Sequence, residues 1–461
     1  MISRISAMVS RSAPSQIIRL AATILWSIIG EALSKGAFLI AMIAVARLLD
    51  QGSWGQFGLL RTTIATFSTF GGMGLGLTAN RFIAEHRERD PGYSGELIGS
   101  TYLLAGAFGA IVGTVLLLCA PLIATRILDH PEMTQTIYLA AALVFLASIN
   151  GAQTGILQGL ESYRAIAVCN AVQGGVAVIA FVAGAYFFKL NGALGAYVIY
   201  LVAGLLVYSF AVRGQLRRYA IVVVYNRLNR IFPVFWSFSV PVALMGIAVA
   251  PMKWLAESWL ARGSGFSELG KFYAGMVVVN TLIALTTTLH SPLVSATARL
   301  SHSEQSERMS YINYYASWYF FLIMSLPLIL IPNLLSFLFG KSYSGREFNL
   351  LIIYLFIYTA LMIYYHGITR LLVQRGTMWL NLGTNIVEGL TLVGAFYFVR
   401  EQGALGLAIA SIASLAMRLL VSVPVLVKSG TLRTKILTDI PFWISAAVMG
   451  GVIGLKMAVT H

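Results

Sequence analysis

Apolar runs of about 20 residues or more, each bounded by charge, glycine or proline, recur along the whole chain. They fall near 21–47, 55–80, 97–121, 135–158, 165–188 and 191–212, and after a polar break near 233–257, 271–297, 310–339, 347–370, 376–399 and 403–427, with a further run near 438–459. A helix rises about 1.5 Å per residue and the hydrocarbon layer is roughly 30 Å thick, so each run is long enough to cross a bilayer. The pattern predicts an all-α polytopic membrane protein of twelve spans, with a thirteenth C-terminal helix that is transmembrane or interfacial. No polar stretch is long enough for an appended catalytic or nucleotide-binding domain.

Composition agrees. The 461 residues are 58% hydrophobic and 11% charged, with a mean hydropathy of +0.80. A net charge of +15 would in a soluble chain suggest nucleic acid, but here the cations lie in short loops between apolar runs, where they orient membrane helices. No nucleic-acid partner is expected. If the N-terminus (Arg4, Arg11, Arg19) is cytoplasmic, the same side receives Arg87, Arg89, Arg164, the cluster Arg213, Arg217, Arg218, Arg227 and Arg230, and later Arg299, Arg308, Arg370, Arg375, Lys428, Arg433 and Lys435. Cations on that side outnumber those on the other about two to one, which favours a cytoplasmic N-terminus. Cys119 and Cys169 both sit inside apolar runs and form no disulfide framework.

The chain carries an internal duplication. Asn191-Gly-Ala-Leu-Gly195 recurs as Gln402-Gly-Ala-Leu-Gly406, and the same offset of 211 superposes Tyr186-Phe187 on Tyr397-Phe398, Lys189 on Arg400, Asn170 on Asn381 and Pro121 on Pro332. Nearer the start of each half the offset is 215, matching Ala46-Arg47 and Gly55-Gln-Phe57 to Ala261-Arg262 and Gly270-Lys-Phe272. Six spans per half send both halves into the membrane from the same side, as parallel repeats around an axis along the membrane normal. The expected units are a first bundle over 1–212, a basic linker over 213–232, a second bundle over 233–428 and an added segment over 429–461. Such an architecture places a binding site near the midplane between the bundles.

Ionisable residues inside spans are costly and are functional candidates by default. They are Glu31, Lys35, Arg61, Lys253, Glu257, His290, Glu388 and Arg418. Glu31 and Lys35, four apart near the middle of the first span, share a helix face and form either a structural ion pair or part of a site. Their 215-offset positions are Gly246 and Ala250, and that of Arg61 is Met276, so the charges are not part of the shared scaffold. Lys253 and Glu257 lie near the outer end of the seventh span, where snorkelling serves both; Lys253 is also a candidate substrate ligand. Arg418 lies deep in the twelfth span. Glu388 shares a helical stripe with Asn381 and Asn385, which reads equally as interhelical glue or as a cavity lining. Tyr354 and Tyr358 lie deeper than the other tyrosines of the ninth and tenth spans and are candidates to stack on a sugar. The expected substrate set is therefore Lys35, Arg61, Lys253, Tyr354, Tyr358 and Arg418, with Glu31 and Glu388 as ion-coupling acids. No paired Cys or His spacing suggests a metal, and neither a GxSxG nor a phosphate-loop or dinucleotide signature occurs, so neither cofactor nor catalysis is expected.

Val45-Ala-Arg-Leu-Leu-Asp50 with Gly52, Gly55, Phe57 and Gly58, then Gly71-Gly-Met-Gly-Leu-Gly76 leading to Asn80-Arg81-Phe82, resembles the opening of the Wzx-type polysaccharide flippases. The repeated GALG is similar to the same family, within the multidrug/oligosaccharidyl-lipid/polysaccharide (MOP) exporter superfamily. The resemblance covers the chain to about residue 428. It implies a MATE-like, V-shaped pair of six-helix bundles that moves an undecaprenyl-diphosphate-linked glycan across a bacterial inner membrane, driven by a proton or sodium gradient. It carries over Arg47, Gly55 and Arg81 only as framework positions. Membrane lipid, a polysaccharide polymerase and chain-length regulator proteins are further partners it implies.

Three other readings compete. A cation-coupled multidrug exporter of the same fold needs a net acidic cavity, whereas the buried charge here is mostly basic. A lipid II flippase would be expected to carry more spans. A polyprenyl-dependent polymerase or ligase needs a large periplasmic loop that this sequence lacks. Lys35→Ala and Glu31→Gln are each expected to impair transport while leaving folded protein in the membrane, read by complementation and membrane immunoblot; full complementation by both would make the pair purely structural.

Overall fold

The computed structural model describes residues 35–288, 318–327, 334–374 and 378–428, together with positions 447, 450, 451 and 454. Glu31, His290, Pro332 and the greater part of the thirteenth run lie outside the described residues. Every regular element among the described residues is helical, in an all-α polytopic membrane fold, and seven helical stretches are long and apolar enough to cross a membrane. Two of these seven, Tyr163–Arg218 and Trp379–Lys428, each contain two of the runs expected from sequence.

α1 covers 35–48 and α2 Gln51–Gly72. Asp50 caps α2 by accepting the Ser53 backbone N–H at 2.9 Å. Desolvation works to raise the Asp50 carboxyl, but the bonds from Ser53 and neighbouring amides outweigh it and hold the group below its ordinary value. The expected run 55–80 is not one helix. Met73 (φ 41) and Gly74 (φ 68) adopt left-handed backbone in succession, and α3 restarts at Leu75–His86. The glycine-rich Gly71–Gly76 stretch makes this break cheap.

α4 (Pro91–Leu122) runs into a π-helical turn at Ile123–Leu128, and α7 (Leu228–Val234) into another at Phe235–Ser239. Each π turn begins two residues after a proline, Pro121 or Pro233, whose missing N–H breaks the α-helical ladder. α5 is Thr134–Gly159, α8 Val240–Ile247, α9 Ala250–Ser264 and α10 Phe266–Thr288. α11 (Trp318–Pro327) and α12 (Leu334–Phe339) precede α13 (Arg346–Gln374), α14 (Met378–Val399) and α15 (Gly403–Lys428).

α6 (Tyr163–Arg218) is a hairpin of two arms that turn at Lys189. The arms pair antiparallel: Gly184 meets Gly192 backbone to backbone, Gln173 donates to the Tyr200 carbonyl at 3.1 Å, and the Tyr208 hydroxyl donates to Asn170 at 2.5 Å. The equivalent turn between α14 and α15 has Gly403 at φ 59, ψ −133, close to the φ 51, ψ −131 of Lys189. Only glycine adopts that region without strain.

The linker after Arg218 is an ordered strap. Val224 donates to the Gly95 carbonyl at 3.2 Å, and Gly95 and Gly99 of α4 lie so close to the Val222 and Val224 carbonyls that a side chain there would collide. α2 to α6 pack on one another, as do α9, α10 and α13 to α15, and the two groups meet chiefly where α2 crosses α10. At that crossing a Cβ on Gly55 would strike the Phe266 carbonyl and one on Gly270 the Gln51 carbonyl. Gln51 and Phe266 are separated by the same 215 residues as Gly55 and Gly270, so the contact is reciprocal under the duplication. Gln51 adds a 2.6 Å bond to the Ser342 carbonyl beside it.

Lys189→Gly should relieve the strained turn, stabilise the protein by about 1–3 kcal/mol and so raise the apparent melting temperature in detergent. Gly403→Ala should lower it by a similar amount.

Candidate functional site

Below the α2–α10 crossing lies a cavity of about 500 Å³ lined by α1, α2, the second arm of α6, α9 and α10. Lys35, Arg61 and Glu257 line it, with the rings of Phe38, Tyr197, Tyr200 and Tyr273. Gly58 makes room for Tyr273, because any side chain at 58 would occupy the ring's place. These two residues are again 215 apart.

Arg61 rises from α2 against aromatic surface. Its Nη1 donates to Met42 Sδ at 3.1 Å, and the guanidinium lies 5.0 Å from the Phe38 centroid and 5.9 Å from that of Phe57. Such cation–π contacts contribute about 0.5–2 kcal/mol each. Among the described residues no carboxylate pairs with Arg61, so its charge is oriented by rings and open to a ligand anion.

Glu257 projects from α9 across the same cavity. It accepts the Tyr273 hydroxyl at 2.8 Å, and that hydroxyl lies 2.9 Å from Thr62 Oγ1. The chain Thr62–Tyr273–Glu257 therefore ties α2, α10 and α9 together through exchangeable protons. One turn away, Trp254 Nε1 donates to Thr63 at 2.8 Å and clamps α9 on α2. Among the described residues no cation lies within ion-pair distance of Glu257. Met42 and Met276, 215 residues from Glu257 and Arg61 respectively, complete the lining.

A second polar cluster lies inside the α9, α13, α14 and α15 group. Arg418 of α15 bonds Glu388 and Asn385 of α14 and reaches Asn381 Oδ1 at 3.0 Å. Its guanidinium lies 3.9 Å from the Tyr365 ring centroid. Asn385 donates to the Met245 carbonyl at 2.8 Å, which anchors the cluster to α8. Lys253 Nζ is 3.5 Å from Glu388, whose side chain is 2% exposed against 39% for the lysine. The Tyr358 hydroxyl stands beside the same ammonium.

Of the residues singled out in the sequence, Lys35 and Arg61 share the central cavity, while Lys253, Tyr358, Glu388 and Arg418 share the second cluster. Tyr354 packs half-buried against the apolar core, away from the cavity lining. The stripe Asn381, Asn385, Glu388 acts as glue between helices, with Arg418 as its partner. Glu257, read in sequence as a snorkelling residue, lies on the cavity instead. The available signal was its register: Trp254 is three residues earlier on the same face, and that tryptophan is buried.

Residues 20–275, more than half of the chain, match a family model described as polysaccharide biosynthesis protein. The chain belongs to that family. Among solved structures it is similar to an inward-facing multidrug resistance MATE family transporter of the MOP superfamily, at 15% identity and a TM-score of 0.61, over 87% of this chain and 98% of the other. It is equally similar to a MOP superfamily transporter from Pyrococcus furiosus reported for the reverse polarity of its binding pocket, at 15% identity and TM-score 0.61, over 88% and 95%. An outward-facing MATE family transporter matches at 15% identity and TM-score 0.56, over 94% and 96%. A comparison with curated proteins finds no match. At these identities the structures establish a MATE-like fold. Family, fold and apolar helices together describe a multi-pass membrane protein of the polysaccharide biosynthesis family with a MATE-like fold.

The second cluster has an asymmetric prediction. Glu388→Gln leaves Lys253 and Arg418 facing each other with no anion and should cost about 3–5 kcal/mol. Arg418→Gln leaves the Lys253–Glu388 pair and should cost less, a ranking that detergent-phase unfolding of the two variants checks.

Proposed function

We propose that the protein flips a polyprenyl-diphosphate-linked oligosaccharide, such as an O-antigen or exopolysaccharide repeat unit, across the bacterial inner membrane by ion-coupled alternating access. The observation that carries this reading is the central cavity, which among the described residues is lined by Lys35, Arg61 and Glu257 with several aromatic rings. A diphosphate is recognised by such cations, and Arg61 presents a planar donor fork suited to it. Tyr197, Tyr200 and Tyr273 offer faces and hydroxyls to sugars, and the polyprenyl tail stays in lipid. The volume falls within the usual range for ligand pockets of about 300–1,000 Å³, so the diphosphate and its first sugars would be held while distal sugars extend from the open end.

The moving units in this proposal are the bundles 1–212 and 233–428, joined by the strap within 213–232, with 429–461 appended. The N-terminus is cytoplasmic. Lys253, Arg418, Tyr354 and Tyr358, expected as ligands, take supporting roles here, because the cation pair holds Glu388 and ties its helices together. For the same reason coupling is assigned first to Glu257, whose partners are hydroxyls, together with Glu31 on the first span. A multidrug exporter of cationic compounds is disfavoured by Arg61, which pairs with no carboxylate among the described residues.

A deletion strain should strand lipid-linked repeat units on the cytoplasmic side; normal surface polysaccharide in that strain would sink the proposal. Returned on a plasmid, Arg61→Ala should restore less than a tenth of wild-type flipping, since one charged contact contributes about 1.5–3 kcal/mol. Glu257→Gln should bind a diphosphate lipid normally but lose the dependence of flipping on the ion gradient. Purified protein that binds cationic dyes and no diphosphate lipid would favour the exporter.

A further inference from the structure

The end of the molecule opposite the strap carries another concavity, of about 720 Å³, that neither the central cavity nor the charged cluster reaches. The strap packs near the start of α4, at Gly95 and Gly99, whereas this pocket begins just past the π turn that extends α4, at Asp129. Three elements meet there. The loop from α4 to α5 supplies Asp129, the C-terminal end of α9 supplies Trp259 and Arg262, and the turn from α14 to α15 supplies Arg400 and Glu401. Phe396 is buried beneath them, while Tyr397 is 53% exposed and Trp259 half-buried, so two rings present surface to the pocket. With the N-terminus cytoplasmic, this end faces outward.

The walls are held in place across the joint between the two groups of helices. Arg262 donates to the Arg126 carbonyl at 2.8 Å, and the His130 ring lies 4.8 Å from that of Phe266 at the start of α10. Asp129 has φ 61, a left-handed backbone that aspartate tolerates better than most residues. The charges balance: two arginines stand with two carboxylates, all four exposed, and among the described residues none of the four is in an ion pair. Arg400 instead lies over the Tyr397 ring, 4.9 Å from its centroid. Guanidinium donors and carboxylate acceptors beside aromatic rings, with no net charge, suit a ligand that offers both donors and acceptors on an uncharged body. Sugar hydroxyls do this, and the C–H face of a sugar packs on an aromatic ring. An anionic headgroup would be repelled by both carboxylates.

The duplication separates scaffold from addition. Arg262, Tyr397 and Arg400 correspond to Arg47, Tyr186 and Lys189, whereas Trp259, Glu401 and Asp129 correspond to Ala44, Leu190 and Gly340. The indole and both acids therefore occur on one side only. We propose, on the flippase reading, that this pocket binds sugars of the transported glycan at the outer face, a short uncharged saccharide stacked on Trp259 with its hydroxyls shared among Asp129, Glu401 and the two arginines. It is a site for the glycan alone, separate from the diphosphate site of the central cavity.

The test uses the full-length protein in lauryldimethylamine oxide, a detergent without a sugar headgroup. One probe is the free oligosaccharide repeat unit released by mild acid from the source strain's surface polysaccharide, which carries neither diphosphate nor lipid; the other is undecaprenyl diphosphate, which carries no sugar. Binding is read by saturation-transfer NMR for the first and native mass spectrometry for the second. The wild type should bind both. Trp259→Ala should weaken oligosaccharide binding about tenfold, and the exposed variants Glu401→Gln and Asp129→Asn should each weaken it roughly three- to tenfold with the melting temperature unchanged. All three should keep undecaprenyl diphosphate, whereas Arg61→Ala should lose it and keep the oligosaccharide. A wild type that binds no undecaprenyl diphosphate would overturn the flippase reading. Retention of that lipid with no oligosaccharide binding, or oligosaccharide binding unchanged in Trp259→Ala and Glu401→Gln, would overturn the sugar site alone. Displacement of the oligosaccharide by phosphatidylglycerol would give the pocket to a lipid headgroup and overturn it as well.

Discussion

An ionised side chain within a bilayer must be answered by protein or by water, and that constraint organises this molecule. The chain answers it in two ways. Glu388, Lys253 and Arg418 answer one another, with Asn381, Asn385 and Tyr365 completing the shell, so their helices are pinned. Arg61 and Glu257 face a cavity and are answered by rings, thioether and hydroxyl groups that orient them without neutralising them. The first arrangement supplies rigidity. The second leaves charge available, in a cavity to which both groups of helices contribute walls.

Much of this was legible in the sequence because a span-length apolar run has few alternative readings. The all-α pattern of apolar helices and the intramembrane charges were visible. Breaks were less so. The interruption at Met73-Gly74 hides inside an apolar run, and the π turns after Pro121 and Pro233 follow from hydrogen-bond bookkeeping that hydropathy does not register.

Partnerships were the least legible part. Arg418 and Glu388 are 30 residues apart on antiparallel helices, and only the hairpin brings them together. Glu257 was misread because depth along a span says nothing about which way a side chain points, and its neighbour Trp254 carried the missing direction. The amide on the penultimate helix of each half is a subtler case. Asn170 and Asn381 correspond, and each accepts from a donor on the helix that follows, the Tyr208 hydroxyl in one half and the Arg418 guanidinium in the other.

The crossing of α2 and α10 has a historical reading. Each glycine there accommodates a carbonyl from the other strand of the duplication, Gly55 that of Phe266 and Gly270 that of Gln51. A self-complementary face of this kind can be made equally well by two separate copies of one half, as in a two-fold homodimer. In two separate identical copies, any residue that changed on one side of the axis would have to change on the other. A single chain is free of that restriction. The positions now held by Arg61 and Met276, and by Met42 and Glu257, could then diverge in opposite senses and put unlike charge on two walls of one chamber. A polar ligand with a distinct head and tail needs such a chamber, and a strictly symmetric pair of subunits could not have supplied it.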